Sequence, residues 1–330
     1  MNFLLPKLLT CGKYINIIVA MVLLNLKAFN PNHTKLDFSR EIFMASKFLS
    51  VGIFLIYLIS FSVISKTVFN YVGKEDRYDK RQLFIKDVLK LALIKTSEKH
   101  GDFSLITNTS GENAARLFKQ MDKNVYKNFF FNASITNDIL AKYHVIKFPV
   151  DRGLTSFRVA FISSDERTFD CKKVNLENIK RNVTIQGIGW LDTDILKFNG
   201  FNVYAISHYK QMFKMIEKSR ASFFFRGINE IQQELNTYPS IKLEPCFALH
   251  YQLPKFFITN KENIRNAKRI ELGLKKAFED GSYQQLWDKY FKEVISLSNI
   301  NERQIFELDN PFISKLTNHY QKYNFKLIKK

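Results

Sequence analysis

"HYKQMFKMIEKSRASFFFRGINEIQQEL" runs from His208 to Leu235. Its first half places Tyr209, Met212, Phe213 and Ile216 at i, i+3, i+4 and i+7, the spacing of one apolar helix face. Three consecutive phenylalanines, Phe223–Phe225, then read as a buried strand. Arg226 closes that strand, Gly227 turns the chain, and a polar helix carrying Glu230 follows. A helix, a buried strand and a second helix in direct succession argue for α/β architecture. The fixed cation at the strand end has two readings. Arg226 faces a ligand, because strand C-termini of α/β sheets border the ligand crevice. Alternatively, it is a buried partner of Glu230, one helical turn on.

The same alternation extends outward in both directions. "RQLFIKDVLKLALIK" gathers Ile85, Val88, Leu89 and Ala92 on one helical face. "DFSLIT", "HVIKFPV", "FRVAFIS", "VTIQGIG" and "FNVYAI" read as strands, and "ENAARLFKQM" and "DTDILKF" as helices between them. "RNAKRIELGLKKAFED" aligns Ala267, Ile270, Leu274 and Phe278 and stops at Gly281, which suits a left-handed helix end. Ser282 with Gln285 opens a further helix as a capping box. The pattern predicts largely parallel sheets. No repeat or low-complexity tether is visible, so two lobes must be joined by strands that cross between them.

At 330 residues, with 46% apolar and 25% charged side chains, the chain is long enough for two lobes with real cores. Its net charge of +19 comes from scattered lysines rather than basic blocks, and no nucleic-acid motif accompanies it. H-E-x-x-H, G-x-S-x-G, the phosphate-cradling G-x-x-x-x-G-K and C-x-x-C are all absent. The six histidines are dispersed, which argues against a metal site. No cofactor is expected. "GIGWLD" carries Gly187 and Gly189 between a strand and a helix start but lacks a third glycine. Such a turn offers free backbone N–H groups to an anionic ligand group, or is only a tight turn. Trp190 either stacks on a ligand or packs, and Asp192 is a helix cap or a ligand contact. Cys171 and Cys246 are open to pairing in an oxidising compartment, but sequence alone does not place their Cα atoms.

"SKFLSVGIFLIYLISFSVIS" (Ser46–Ser65) is apolar and uncharged after Lys47, with Val63 and Ser65 small enough for a cleavage site. Residues 44–65 therefore read as an export signal, with a membrane anchor as the rival. Residues 1–43 form an N-terminal extension of open status. The chain beyond Lys66 is expected to work outside the cytoplasm, in the periplasm.

Five segments carry a resemblance: "YDKRQLFIKDVLKLAL", "FPVDRGLTSFRVAFI", "GWLDTDILKFNGFNVY", "QMFKMIEKSRASFFFRGINEI" and "YQLPKFFITNKENIRNAKRIELGLKKAFEDGSY". In order and spacing the chain resembles the periplasmic solute-binding proteins of family 3, the amino-acid type, in a divergent branch with undefined ligands. That resemblance implies a two-lobed type II periplasmic-binding-protein fold with two crossing segments. Lobe 1 would take residues 66–157 and 251–295, lobe 2 residues 158–250, and a C-terminal helical tail residues 296–330. Family members that bind amino acids often carry an S-I-T-x-x-R motif whose arginine grips the ligand carboxylate. Here "SITND" supplies Ser134, Ile135 and Thr136, but Ile139 stands at the arginine's place. Arg226 would then be the replacement cation.

The expected function is capture of a small polar or anionic solute by lobe closure, for an inner-membrane transporter or a sensor, by a monomer that does no chemistry and binds no nucleic acid. Candidate ligand contacts are Arg226, Trp190, Asp192, Thr136, Arg158 and Glu230. Arg158, at a crossing strand, is alternatively a hinge ion-pair member. The rival functions are a membrane-tethered sensing module and a small dehydratase-like enzyme using Glu230 as its acid or base.

Overall fold

The computed structural model describes residues 66–73, 80–109 and 114–327. The expected extension over 1–43 and export or anchor segment over 44–65 lie outside these residues. Every described residue belongs to one compact unit, Ser65–Lys330. Among the described residues no helix is long and apolar enough to cross a membrane.

The chain begins with β1 (Thr67–Val72), α1 (Lys80–Ile94), α2 (Ser97–His100), β2 (Phe103–Thr109), α3 (Ala114–Asp122), β3 (Phe129–Ser134), α4 (Asn137–Lys142) and β4 (His144–Ile146). It continues with β5 (Phe157–Ser163), α5 (Leu176–Arg181), β6 (Thr184–Gly187), α6 (Leu191–Phe198), β7 (Val203–Ile206), α7 (Tyr209–Glu217), β8 (Phe223–Gly227), α8 (Ile231–Thr237), β9 (Ile241–Leu243) and β10 (Phe247–His250). The last elements are β11 (Lys255–Thr259), α9 (Ile264–Glu279), α10 (Ser282–Ser298) and β12 (Gln304–Glu307).

These strands form two sheets, one per lobe. The first has the order β2-β1-β3-β11-β4, and the second β12-β10-β5-β8-β6-β7, with β9 beside β5. The sheets are mixed rather than largely parallel. β1 pairs in parallel with β2 and β3, and β6 with β7 and β8, as helical crossovers require. Strands that carry the chain between lobes run against them: β5 is antiparallel to β8 and β10, and β11 to β3 and β4. A returning strand enters its sheet in the opposite sense, which periodicity alone does not reveal.

The triple phenylalanine obeys the two-residue period of a strand. Phe224 points to α7, its ring 5.3 Å from Phe213, whereas Phe223 and Phe225 turn to Phe247 on the other face. On α7, Met212, Phe213 and Ile216 are buried as the spacing predicts, but Tyr209 is 39% exposed. In the first lobe, α9 lies so close to α1 that a Cβ on Gly273 would fall 1.9 Å from the Ala92 carbonyl oxygen. One continuous apolar cluster runs from Phe84 and Leu89 of α1, through Phe291 and Ile228, to Phe213 and Phe224.

The two crossing segments lie side by side. Leu249 and His250 pair with Arg158 and Phe157, and the Tyr251 N–H donates to the Ser156 carbonyl at 3.2 Å. The segment 296–330 departs from a helical tail. α10, packed on α1 and α9, ends at Ser298, where Asn299 adopts a left-handed φ of 48°. β12 then pairs in parallel with β10 in the second sheet. Ile313, Leu316 and Tyr320 return to the first lobe and pack in the cluster that holds Phe256. The tail thus passes between the sheets twice more. A disulfide joins Cys171, beyond β5, to Cys246 at the head of β10, with Cα atoms 4.8 Å apart.

Candidate functional site

A cleft of about 1020 Å³ opens between the lobes. Asn132, Thr136, Ile139 and Lys255 line it from the first lobe, and Trp190, Tyr209, Arg226 and Glu234 from the second. α10 supplies a wall through Tyr290, Phe291 and Val294. Both sheets therefore end on one space, as α/β ligand crevices require.

Arg226 is at this cleft, but its guanidinium is not free. Its side chain is 8% exposed, and Nη2 lies 3.0 Å from Glu230 Oε1 and 2.7 Å from Glu234 Oε1. Nε donates to the same Glu234 oxygen at 2.8 Å. The rings of Trp190, Phe224 and Tyr209 surround its guanidinium carbon at 4.9, 5.3 and 5.6 Å. Burial opposes the charge, yet Glu230 and Glu234 outweigh it and hold the pKa above the ordinary guanidinium value. The ion-pair reading of Arg226 is the one realised.

The two carboxylates beside Arg226 behave differently. Burial raises Glu230, but Arg226, Lys255 and Arg81 overcome it and hold this carboxyl well below the usual range. Arg81 of α1 reaches it across the cleft at 3.2 Å. Glu234 lies above the usual carboxylate range, because burial and the neighbouring Glu230 outweigh Arg226. Its Oε1 also accepts from the Tyr209 hydroxyl.

Arg158 forms a second closed pair. Its side chain is 4% exposed, and Nε lies 2.7 Å from Asp192 Oδ1 while also donating to the Tyr251 hydroxyl at 3.0 Å. Tyr251 in turn donates to Asp192. Asp192 is thus not the helix cap: Trp190 occupies the cap position of α6, and Asp192 sits inside its first turn, where it also lines the cleft. The pair fastens α6 to β5 and to the start of the crossing segment. A Cβ on Gly227 would fall 2.5 Å from Arg158 Nη1, so a side chain there would displace the guanidinium.

Trp190 lines the cleft with its ring pressed over Gly187, where a Cβ would meet Trp190 Cε2 at 2.4 Å. The glycine turn does not present a row of free N–H groups. Ile188 N donates to the Ile206 carbonyl at 3.0 Å and Trp190 N to the Gly187 carbonyl at 3.1 Å. Thr136 caps α4 by accepting from Ile139 N at 3.3 Å, and Ile139 itself lines the cleft as an apolar residue.

Sequence reasoning missed Glu234, Tyr209, Arg81 and Lys255. Glu234 had a signal: with Arg226 and Glu230 it completes an i, i+4, i+8 row. Tyr209 was hidden within an apolar stripe. Arg81 and Lys255 come from distant elements, and no local pattern marks them. Among the described residues no group of three or more metal-ligating side chains comes together.

No family model matches this chain, and no curated protein matches it. Solved structures do. A probable amino-acid ABC transporter extracellular-binding protein of Bacillus subtilis is 12% identical, with 69% of this chain and 99% of that one covered and a TM-score of 0.51. An ancestral arginine-binding protein bound to arginine is 13% identical, with 68% and 99% covered and a TM-score of 0.50. At such identity the likeness is one of fold: the chain has the two-lobed fold of periplasmic solute-binding proteins of the amino-acid type.

Proposed function

We propose that this protein captures a small polar solute in the cleft between its lobes, outside the cytoplasm, and does no chemistry on it. The carrying observation is the cleft itself, roomy and lined from both lobes, in a fold shared with extracellular binding proteins. The adjacent crossing segments supply a hinge about which a solute could select a closed arrangement. The Cys171–Cys246 disulfide supports an oxidising compartment. Delivery to a membrane transporter suits these features, with a sensor as the other recipient. A dehydratase-like role is disfavoured because Glu230, the acid–base candidate, is held as a carboxylate by four cations, Arg226, Lys255, Arg81 and Arg158.

The test is mass spectrometry of solutes retained by the exported protein, followed by a thermal-shift screen. A true ligand at a hundred times its dissociation constant should add about 2.7 kcal/mol of stability. A protein that retains no solute, and that no small molecule shifts, would defeat this reading.

A further inference from the structure

Lys255 is a cleft cation that the protein leaves without a direct partner. It opens β11, where the second crossing segment re-enters the first lobe, and its carbonyl accepts from Val150 N at 2.9 Å. Its side chain is partly buried and lines the cleft. Among the described residues its ammonium makes no ion pair and no hydrogen bond. The two carboxylates that act on it from farther off, Glu230 and Asp151, are engaged elsewhere. Glu230 Oε1 holds Arg226 and Arg81, and its Oε2 accepts from Gly227 N at 3.3 Å. Asp151 accepts from Gly153 N and Thr155 N, each at 3.1 Å, and from the Thr155 hydroxyl. Burial pushes the Lys255 ammonium below the ordinary lysine range. Glu230 and Asp151 offset this only in part, and Arg158 and Arg81 add to it. Positive charge at Lys255 therefore exceeds what the protein's own carboxylates neutralise. The lining as a whole agrees in sign, with five cations against four carboxylates.

Ser134 stands beside Lys255. The two are register partners across β3 and β11, so their side chains share one face of the sheet, and both line the cleft. An ammonium and a hydroxyl on one face can donate together to one carboxylate. A phosphate fits less well, because a lone ammonium is a single point charge, and Ile188 N and Trp190 N of the glycine turn are already bonded. The deep cleft leaves no carboxylate over for an amine. Arg226 and Tyr209 take Glu234, Arg226 and Arg81 take Glu230, and Arg158 and Tyr251 take Asp192. Asp194 is exposed at the rim.

We infer that the solute is an organic acid without an amine, whose carboxylate rests on the Lys255 ammonium and the Ser134 hydroxyl. This inference rests on the solute-capture reading and narrows it. Lys255 then does from the first lobe what Arg226, closed by its two glutamates, does not do from the second.

The experiment is calorimetric titration of the exported protein with matched probes: 3-phenylpropionate against phenylalanine, glutarate against glutamate and propionate against alanine, with putrescine and glucose as the cationic and neutral probes. At least one acid should bind, and no more weakly than its amino counterpart. Lys255→Met should weaken that binding by about tenfold or more, the loss of one hydrogen bond to a charged group. Ser134→Ala should weaken it in the same direction, and keeps the test open if Lys255→Met fails to fold. Silence from every acid while putrescine, glucose or an amino acid binds overturns the inference and leaves solute capture standing. So do an amino acid that binds more tightly than its matched acid, and full affinity in both variants. Absence of any retained or binding solute removes both readings.

Discussion

Arg226 Nη2 and Glu230 Oε1 are 3.0 Å apart, joining the end of β8 to the turn after it. Both side chains are nearly buried, at 8% and 12% exposure. The cation that ends the apolar strand is therefore an architectural centre of the cleft, with Glu234 as its second anchor. Removing one member of such a cluster leaves the others uncompensated. Arg226→Ala should cost about 3–5 kcal/mol of stability. The combined replacement of Arg226 by Met and of Glu230 and Glu234 by Gln should recover much of that loss. Chemical denaturation measures both. An Arg226→Ala protein of native stability would show that the pair carries no weight.

Glu230 and Glu234 should leave opposite marks on pH dependence. The native pKa of Glu234 is raised from 4.5, so its contribution is favourable below that value and is lost as pH climbs through the native pKa. The native pKa of Glu230 is depressed from 4.5, so its contribution is present above that value and disappears as pH falls. Glu234→Gln should therefore gain stability relative to wild type as pH rises above about 4.5. Glu230→Gln should be at a deficit at neutral pH, shrinking in acid. Denaturation midpoints across pH give both slopes, and slopes of equal sign would contradict the assignment.

Trp190 should report on the cleft. The chain has two tryptophans, and the other, Trp287, is 3% exposed and donates to the Asp151 carbonyl at 3.1 Å. Ligand-induced fluorescence change should vanish in Trp190→Phe and survive in Trp287→Phe. Gly187→Ala drives a methyl into the Trp190 ring and should alter the emission before any ligand is added. Identical emission in that variant would mean the ring moves aside freely.

Reduction of the disulfide should weaken the fold. Cys171 and Cys246 are separated by 75 residues, and closing a loop of that length is worth about 4 kcal/mol in the chain-entropy description. Unfolding with and without reductant measures the difference, and coincident curves would contradict the pairing.

The α/β class and the helix stripes were legible because burial writes a period into the chain: Met212, Phe213 and Ile216 are core as their spacing says. Ile139, which lines the cleft, was legible only through the resemblance of "SITND" to a family motif, not from its own segment. Strand direction was not, since a buried strand such as Phe157–Ser163 reads the same in either sense. Nor was the C-terminal tail, where four residues gain their strand character only by pairing with β10. Site roles were least legible. Asp192 looks like a cap in its local context, and only the approach of Arg158 from another strand gives it a different partner.

The returning tail alters the mechanics of the whole molecule. Arg303 fixes its entry into the second sheet, donating to the carbonyls of Ser298 at 2.7 Å and Phe247 at 3.1 Å. Farther on, Phe325 N donates to the Arg152 carbonyl of the first lobe at 2.7 Å. Any swing of one lobe against the other must then twist four backbone spans, and torsional stiffnesses acting in parallel add. The angular travel is correspondingly narrow: any solute captured in the cleft would exchange through small excursions of a stiff frame rather than through a wide gape.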